Sequence, residues 1–395
     1  MSERVDMIVS NGHGPDPRVQ KEAEALVEGG YDVRVLAWDR ERSHPPSETI
    51  GGVRIERFHH GKQQYGDLFQ TWKGLRHFHR FAYQAMRSDP PLICHSHDQD
   101  TCRVGLRWKR EGRGFFVFDA HDFYWTWLTM GRPKSVLRRV GARLLKRRDR
   151  RYAIIADLLI TSSNGMGGYP GLAEHYINWN ANPKTILNLP DIDEISSPMP
   201  DKFTVGYIGN VREVEMFDHL MSAIALLPPE KRPCLRIAGS GKSHLEVKQL
   251  VETRSSSLGV QVKVTGRYDM SQLHEIMSDV AVQFCVYTAD RGDFKGDVNL
   301  VRAALPNKLF ESAMMGRKIV TISNSVMGDW TKSNDWGWTC EPGDAENLAQ
   351  ILSHARDEWE TGNRSFNVSD DVPVWSQEAE KLRSLYAGMI NQGGQ

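Results

Sequence analysis

Short runs of β-branched and aromatic residues alternate with helix-period segments from one end of the chain almost to the other. Seven runs in the first half read as strands, near 4–10, 32–38, 53–58, 91–95, 115–119, 157–162 and 184–188. Six follow in the second half, near 203–209, 234–239, 261–265, 279–286, 318–322 and 337–340. Strands separated by helical spacers of this length imply right-handed βαβ crossovers and parallel sheets. The first helix shows the logic. Asp16 can cap it, Pro17 suits its first position, Val19, Ala23, Leu26 and Val27 share one face, and Gly29-Gly30 ends it.

Periodicity breaks near 188–202, where prolines, serines and acids precede the new strand Phe203-Thr204-Val205-Gly206-Tyr207-Ile208-Gly209. The expected organisation is therefore α/β, with two Rossmann-like doubly wound domains facing a cleft. The first spans 1–188, a linker 189–202 follows, and the second spans 203–373. A terminal helix, 374–392, carries Ala379, Leu382, Leu385 and Tyr386 as its apolar stripe and packs back on the first domain. A chain of 395 residues is too long for one typical core, which agrees with two domains.

Composition changes this picture in two places. Five cysteines, widely spread and without a C-x-x-C pair, argue against a disulfide framework or a zinc site and for a reducing cytoplasm. The first residues lack the basic and apolar regions of a secretion signal, and no run approaches a membrane span. The zero net charge hides an asymmetry: residues 1–200 hold 29 Lys+Arg and 24 Asp+Glu. Much of that excess is local. Residues 132–151 contain ten Lys/Arg against one acid, Asp149, with Leu137, Val140 and Leu144 on one helical face. Such a basic amphipathic helix can lie on an anionic membrane surface, the alternative being a solvated helix face. Nucleic acid is not expected, since no reading motif or aromatic-basic interleaving accompanies it.

Ligands of doubly wound sheets sit beyond the carboxyl ends of the strands, so post-strand residues carry the candidate chemistry. Pro306-Asn307-Lys308-Leu309-Phe310-Glu311 opens a helix that Gly316 stops. Its free N–H groups favour an anion, Lys308 adds a positive charge beside them, and Glu311 can accept hydrogen bonds from ligand hydroxyls. The alternative is an ordinary capped helix packed on a sheet. Gly209-Asn210-Val211-Arg212 pairs a close backbone approach with a guanidinium that grips phosphate, unless Arg212 instead pairs with Glu213 or Glu215. The loop containing Gly12, His13 and Gly14 follows the first strand, but it is neither G-x-G-x-x-G nor a P-loop. His121 ends the strand Phe115-Phe116-Val117-Phe118-Asp119. It can donate to a substrate hydroxyl or move a proton, or else pair structurally with Asp119 or Asp122. His95-Ser96-His97-Asp98-Gln99-Asp100 has the wrong order for a di-zinc H-x-H-x-D-H pattern and is expected to be a hydrogen-bonded strand end lining the crevice.

With these segments in order, the chain resembles the retaining glycosyltransferases of the B fold. The resemblance rests on Asp16-Pro17-Arg18-Val19, His95-Ser96-His97-Asp98, Asp119-Ala120-His121-Asp122, Tyr207-Ile208-Gly209-Asn210, Ile237-Ala238-Gly239, Pro306 to Glu311 with Gly316, and Gly343-Asp344. It implies transfer of a hexose from a nucleoside diphosphate sugar to a glycan or lipid-linked acceptor, with His121 and Glu311 as catalytic residues. Arg212, Lys308, Gly209 and Asn307 would bind the donor diphosphate and Glu311 the ribose. The Gly12, His13, Gly14 loop would border donor phosphate and acceptor. It implies neither metal nor other cofactor, the nucleotide sugar being a co-substrate. Two departures matter. Ala303 stands where many relatives have a second glutamate, leaving Asp297 or Asn299 to recognise the sugar, and Glu213-Val214-Glu215-Met216 replaces an expected lysine. A nucleotide-sugar 2-epimerase, or an inactive nucleotide-sugar-binding protein, are the alternatives.

Overall fold

The computed structural model describes residues 2–14, 16–59, 68–129, 135–190, 198–288, 299–362 and 372–393. Two sheets organise it. The first is built from β1 (Arg4–Val9), β2 (Asp32–Trp38), β3 (Ser47–Ile50), β4 (Val53–Phe58), β5 (Ile93–His97), β6 (Phe115–Ala120), β7 (Leu158–Thr161) and β8 (Pro183–Thr185). Their order is β3-β4-β2-β1-β5-β6-β7-β8, with only the β3–β4 pair antiparallel. The second holds β9 (Thr204–Ile208), β10 (Cys234–Ala238), β11 (Val262–Thr265), β12 (Val282–Cys285), β13 (Lys318–Ile322) and β14 (Gly337–Cys340). Its order, β11-β10-β9-β12-β13-β14, is parallel throughout and reverses direction between β9 and β12. That reversal opens a crevice at the strands' carboxyl ends.

The expected strands are present, and β3 is an addition. Ser47-Glu48-Thr49-Ile50 is a polar, half-exposed edge strand with too little apolar alternation to register as one. It pairs with β4 across Gly51 and Gly52, whose φ values of 58° and 78° suit a tight hairpin. The first helix, Pro17–Glu28, begins as expected: the Asp16 carboxylate accepts from the N–H groups of Arg18 and Val19. Central strands such as β1, β5 and β9 are buried nearly throughout, because helices cover both faces of a parallel sheet.

The terminal helix Trp375–Gly393 returns to the first sheet and packs on Pro17–Glu28. Tyr386 Oη lies 2.7 Å from His95 Nδ1, Glu378 Oε2 accepts from the Leu187 N–H at 2.7 Å, and Arg383 pairs with Glu28 at 3.1 Å. One apolar cluster joins Val5 and Ile160 of the first sheet, through Leu187 and Leu189, to Leu309, Phe310, Trp330 and Trp375. The Ser163 hydroxyl donates to the Ala303 carbonyl at 2.7 Å across the same boundary. No helix among the described residues is long and apolar enough to cross a membrane. The cysteines Cys94, Cys102, Cys234, Cys285 and Cys340 are all free.

Candidate active site

The helix Asn307–Met314 starts where β12 and the chain after it reach the crevice. Pro306 occupies the position just before its first turn, where a missing N–H costs nothing. Leu309, Phe310, Ala313 and Met314 are buried, and Gly316 leaves the helix at φ 66°. That packing fixes the helix that carries Lys308 and Glu311, its two charged residues. Lys308 Nζ is 3.5 Å from Tyr287 Oη and 4.9 Å from the centre of the Tyr207 ring. Its side chain crosses Gly209, where an added Cβ would come within 2.6 Å of Nζ. Gly209, at φ 131°, is required by its backbone, and a Cβ there would push the end of the Lys308 side chain aside. Burial works against the Lys308 charge, but the charge interactions with Tyr287, Tyr207 and Cys285, and least with Glu311, more than offset it and hold the ammonium above its usual range.

Glu311 is 7 % exposed, and its side-chain carboxylate accepts no hydrogen bond from any described residue. Burial raises its carboxyl above the ordinary value, with Lys308 and Lys21 opposing. Tyr268 stands close enough to feel both Glu311 and Lys308, and burial, then Glu311, push its phenol up to about 12. Arg212 is exposed and its guanidinium meets no described partner, so the surface ion pair with Glu213 or Glu215 does not form. Glu213 is instead buried and accepts from the Thr288 N–H at 3.0 Å. Arg212, Lys308, Tyr207 and Tyr287 share a cavity of about 270 Å³ with Asp122 and Trp127 from the opposite half. Asn307 begins the helix, between Pro306 and Lys308, which both line this cavity, but is not itself among the lining residues.

His121 follows the end of β6, directly before Asp122. Its Nε2 donates to Asp119 Oδ2 at 2.8 Å and lies 3.2 Å from His97 Nδ1. Nδ1 is the ring nitrogen without a hydrogen bond, 3.7 Å from Asp98 Oδ2. Burial alone would lower this imidazole, yet Asp119 and Asp98 outweigh it and raise it to about 10. His121 is thus an imidazolium at neutral pH, a donor rather than a base. Asp119 is fully buried and held well below the usual carboxylate range: burial opposes its charge, but Arg18, bonded to both its oxygens at 3.0 and 3.2 Å, and His121 overcome that. Arg18 also reaches Glu22 at 2.9 Å, and burial raises Glu22 against that attraction.

One expectation changes. His95 and His97 do not line the crevice: both are buried, stacked with ring centres 4.1 Å apart, because β5 lies in the middle of its sheet. Burial lowers His97 to about 4. The Gly12, His13 and Gly14 loop lines a separate cavity of about 300 Å³ with Asp39, Arg40 and His44, and the His13 ring is buried against Gln20 at 3.0 Å. The loop still leads toward His121 through Asp16. Burial would raise that carboxylate, but the charges of His121 and His97 and an Asn11 hydrogen bond hold it below its usual range.

Ala303 is fully buried, and Asn299 spends its side-chain oxygen on the Val301 N–H at 3.0 Å. Asp297 lies outside the described residues. Among the described residues Glu22, His95, His97 and Asp119 have ligand atoms within 4.8 Å of one another, as a metal site would need. Arg18 already sits between its two carboxylates as their counter-ion. Sequence reasoning missed the Arg18–Glu22–Asp119 core behind His121 and the tyrosines around Lys308. Tyr287 stands two residues after the end of β12, which was the available signal.

Residues 13–169 match the profile of the glycosyl transferase 4-like domain, and residues 202–357 match that of the glycosyl transferases group 1. The chain belongs to the glycosyltransferases of the B fold. Solved glycosyltransferase structures share its architecture over nearly the full length. Sucrose-phosphate synthase from Thermosynechococcus elongatus superposes with a TM-score of 0.76 at 15% identity, covering 99% of this chain and 100% of that one. Anabaena HepE in complex with UDP gives 0.65 at 15% identity, covering 98% and 100%. The catalytic domain of starch synthase IV from Arabidopsis thaliana, bound to ADP and acarbose, gives 0.64 at 13% identity, covering 99% and 100%. Identities this low speak for the fold alone. Comparison with curated protein sequences yields no match.

Proposed function

We propose that this glycosyltransferase moves a hexose from a nucleoside diphosphate sugar to a glycan or lipid-linked acceptor, with retention at the anomeric carbon. The observation that carries the reading is the pair at the start of Asn307–Met314. A cation and a buried carboxylate that accepts from no described side chain stand three residues apart on this helix, and the cation shares a cavity with Arg212. A diphosphate and a pentose together offer the charges and hydroxyls that this set lacks. Lys308, Arg212 and the amides after Pro306, with Gly209 giving close access, would hold the negative charge that develops on the leaving diphosphate. Glu311 would accept from the ribose hydroxyls. His121 Nδ1–H, charged and fixed by Asp119, would donate to a hydroxyl of the transferred sugar. In this scheme fixed cations and helix amides replace a metal, and attack on the same face as departure needs no enzyme nucleophile.

The acceptor side would include the Gly12–Gly14 loop. The helix Val136–Ile155 supports contact with the inner face of a cell membrane. Leu137 is 85% exposed and Val140 and Leu144 about half, while the helix's single acid, Asp149, is turned inward to Tyr176 at 3.0 Å. The test is transfer from UDP-, GDP- and ADP-hexoses to a panel of glycan and polyprenyl-linked acceptors, with the anomeric configuration read by NMR. Retained configuration in the product is expected, and inversion would refute the mechanism.

A further inference from the structure

Three helices of the first half share an unusual charge pattern. Leu68–Ser88 carries four Lys/Arg, Cys102–Arg110 four and Val136–Ile155 eight, and among the three the single acid is the buried Asp149. The middle helix packs against the other two, so they form one layer. Between the first two lies a pocket of about 210 Å³ lined by Arg76, His79, Arg80, Tyr83, Arg103 and Arg107. Among the described residues that line it there is no carboxylate, although Glu111 bonds two of them, Tyr83 and Arg107.

These arginines are shaped into a site rather than scattered. Arg107 stacks 3.7 Å over the Tyr83 ring, held there by Glu111 at 2.8 Å, which leaves its terminal nitrogens free. Arg76 rests on Trp72 at 4.8 Å. Arg80 and Arg103 donate to no described residue. His79 is fixed by the Asp100 carbonyl at 2.7 Å, and burial, partly opposed by that bond, lowers it to about 4, so it adds no charge of its own at neutral pH. Four guanidiniums facing one small opening repel one another unless a multiply charged anion joins them. We propose that this pocket binds the phosphate of a lipid headgroup, preferring a phosphomonoester to a phosphodiester. A lipid is favoured as the source because the pocket lies in the same layer as the exposed Leu137, Val140 and Leu144, which offer an apolar anchor beside it. The inference rests on the membrane contact proposed for Val136–Ile155 and adds to it a headgroup and a site.

The experiment is cosedimentation of the whole protein with phosphatidylcholine vesicles doped to equal surface charge with phosphatidic acid or phosphatidylserine. The wild type should bind the phosphatidic acid vesicles about tenfold more tightly, the scale of roughly one extra charge-assisted contact. Arg76→Gln/Arg80→Gln/Arg103→Gln should lose that preference yet still bind both vesicle types, with its thermal midpoint unchanged as evidence of folding. Equal binding to both vesicles by the wild type, or a preference that survives the triple substitution, would overturn the pocket alone. Failure to bind any anionic vesicle would overturn the membrane contact itself. Stabilisation by inorganic phosphate that the triple variant loses, with no headgroup preference, would overturn the lipid source and assign a soluble anion.

Discussion

Glu311→Gln separates function from stability at one atom. The wild-type carboxylate is 7 % exposed, accepts no hydrogen bond from a described residue, and has its pKa raised by burial despite Lys308 and Lys21. A folded-state value above the unfolded one means that stability falls as pH rises from the unfolded value through the folded one, so Glu311 costs the free enzyme stability at pH 7.5. The amide keeps the shape and removes the charge. The unliganded variant should therefore be more stable at pH 7.5 by about 1 kcal/mol, the scale for a buried polar group lacking its partner. The same substitution should weaken binding of the donor by about 1.5–3 kcal/mol, since hydrogen bonds from ribose hydroxyls to a charged acceptor are replaced by neutral ones. Urea unfolding measures the first quantity, with an unchanged slope showing that the two transitions are comparable. Calorimetric titration with the nucleoside diphosphate that stabilises the wild type measures the second. A destabilised variant with undiminished affinity would refute the reasoning, because Glu311 would then be a structural acceptor and not a ligand group.

Arg212→Ala should leave stability within about 0.5 kcal/mol, as expected for an exposed side chain with no protein partner, while weakening diphosphate binding severalfold; thermal shift with and without nucleotide reads both. Asp119→Asn should destabilise by about 3–5 kcal/mol in urea, because it leaves Arg18 and His121 buried beside a lost counter-charge. His121 gives a pH signature. Its folded value of about 10 exceeds the reference 6.5, so its proton-linked stability is complete below pH 6.5 and is lost as pH rises toward 10. The wild type should lose stability across that window, and His121→Asn should flatten the loss. Readings are best taken above pH 7, since burial raises Asp98 to about 7 and superimposes its own titration below that.

Much of the architecture was legible because parallel strands under helices announce themselves by apolar runs at regular intervals. The capped start of Pro17–Glu28 and the stop at Gly316 were readable for the same reason: each is a local steric or hydrogen-bonding rule. β3 was not, because an edge strand needs no apolar face. The Gly51-Gly52 pair was its one mark. At the site, Lys308, Glu311 and Arg212 could be named from their places after strands. The cavity that Lys308 and Arg212 share could not, since it is made by distant segments and Glu311 is not among its lining residues. His121 was visible at a strand end, but its charge state was not. That depends on Arg18, Asp119 and Asp98, brought together from three elements. The same three-dimensional fact removed His95 and His97 from the crevice: their sequence is polar, yet β5 is a central strand and the terminal helix seals it through Tyr386.

Whether Lys308 and Glu311 grip an activated sugar is decided by a crystal structure with a nucleoside diphosphate bound. Density is predicted with the diphosphate within hydrogen-bonding distance of Lys308 Nζ and Arg212, and the ribose hydroxyls on Glu311. A nucleotide bound in the cavity beside Gly12–Gly14, or one that leaves Glu311 untouched, would contradict it.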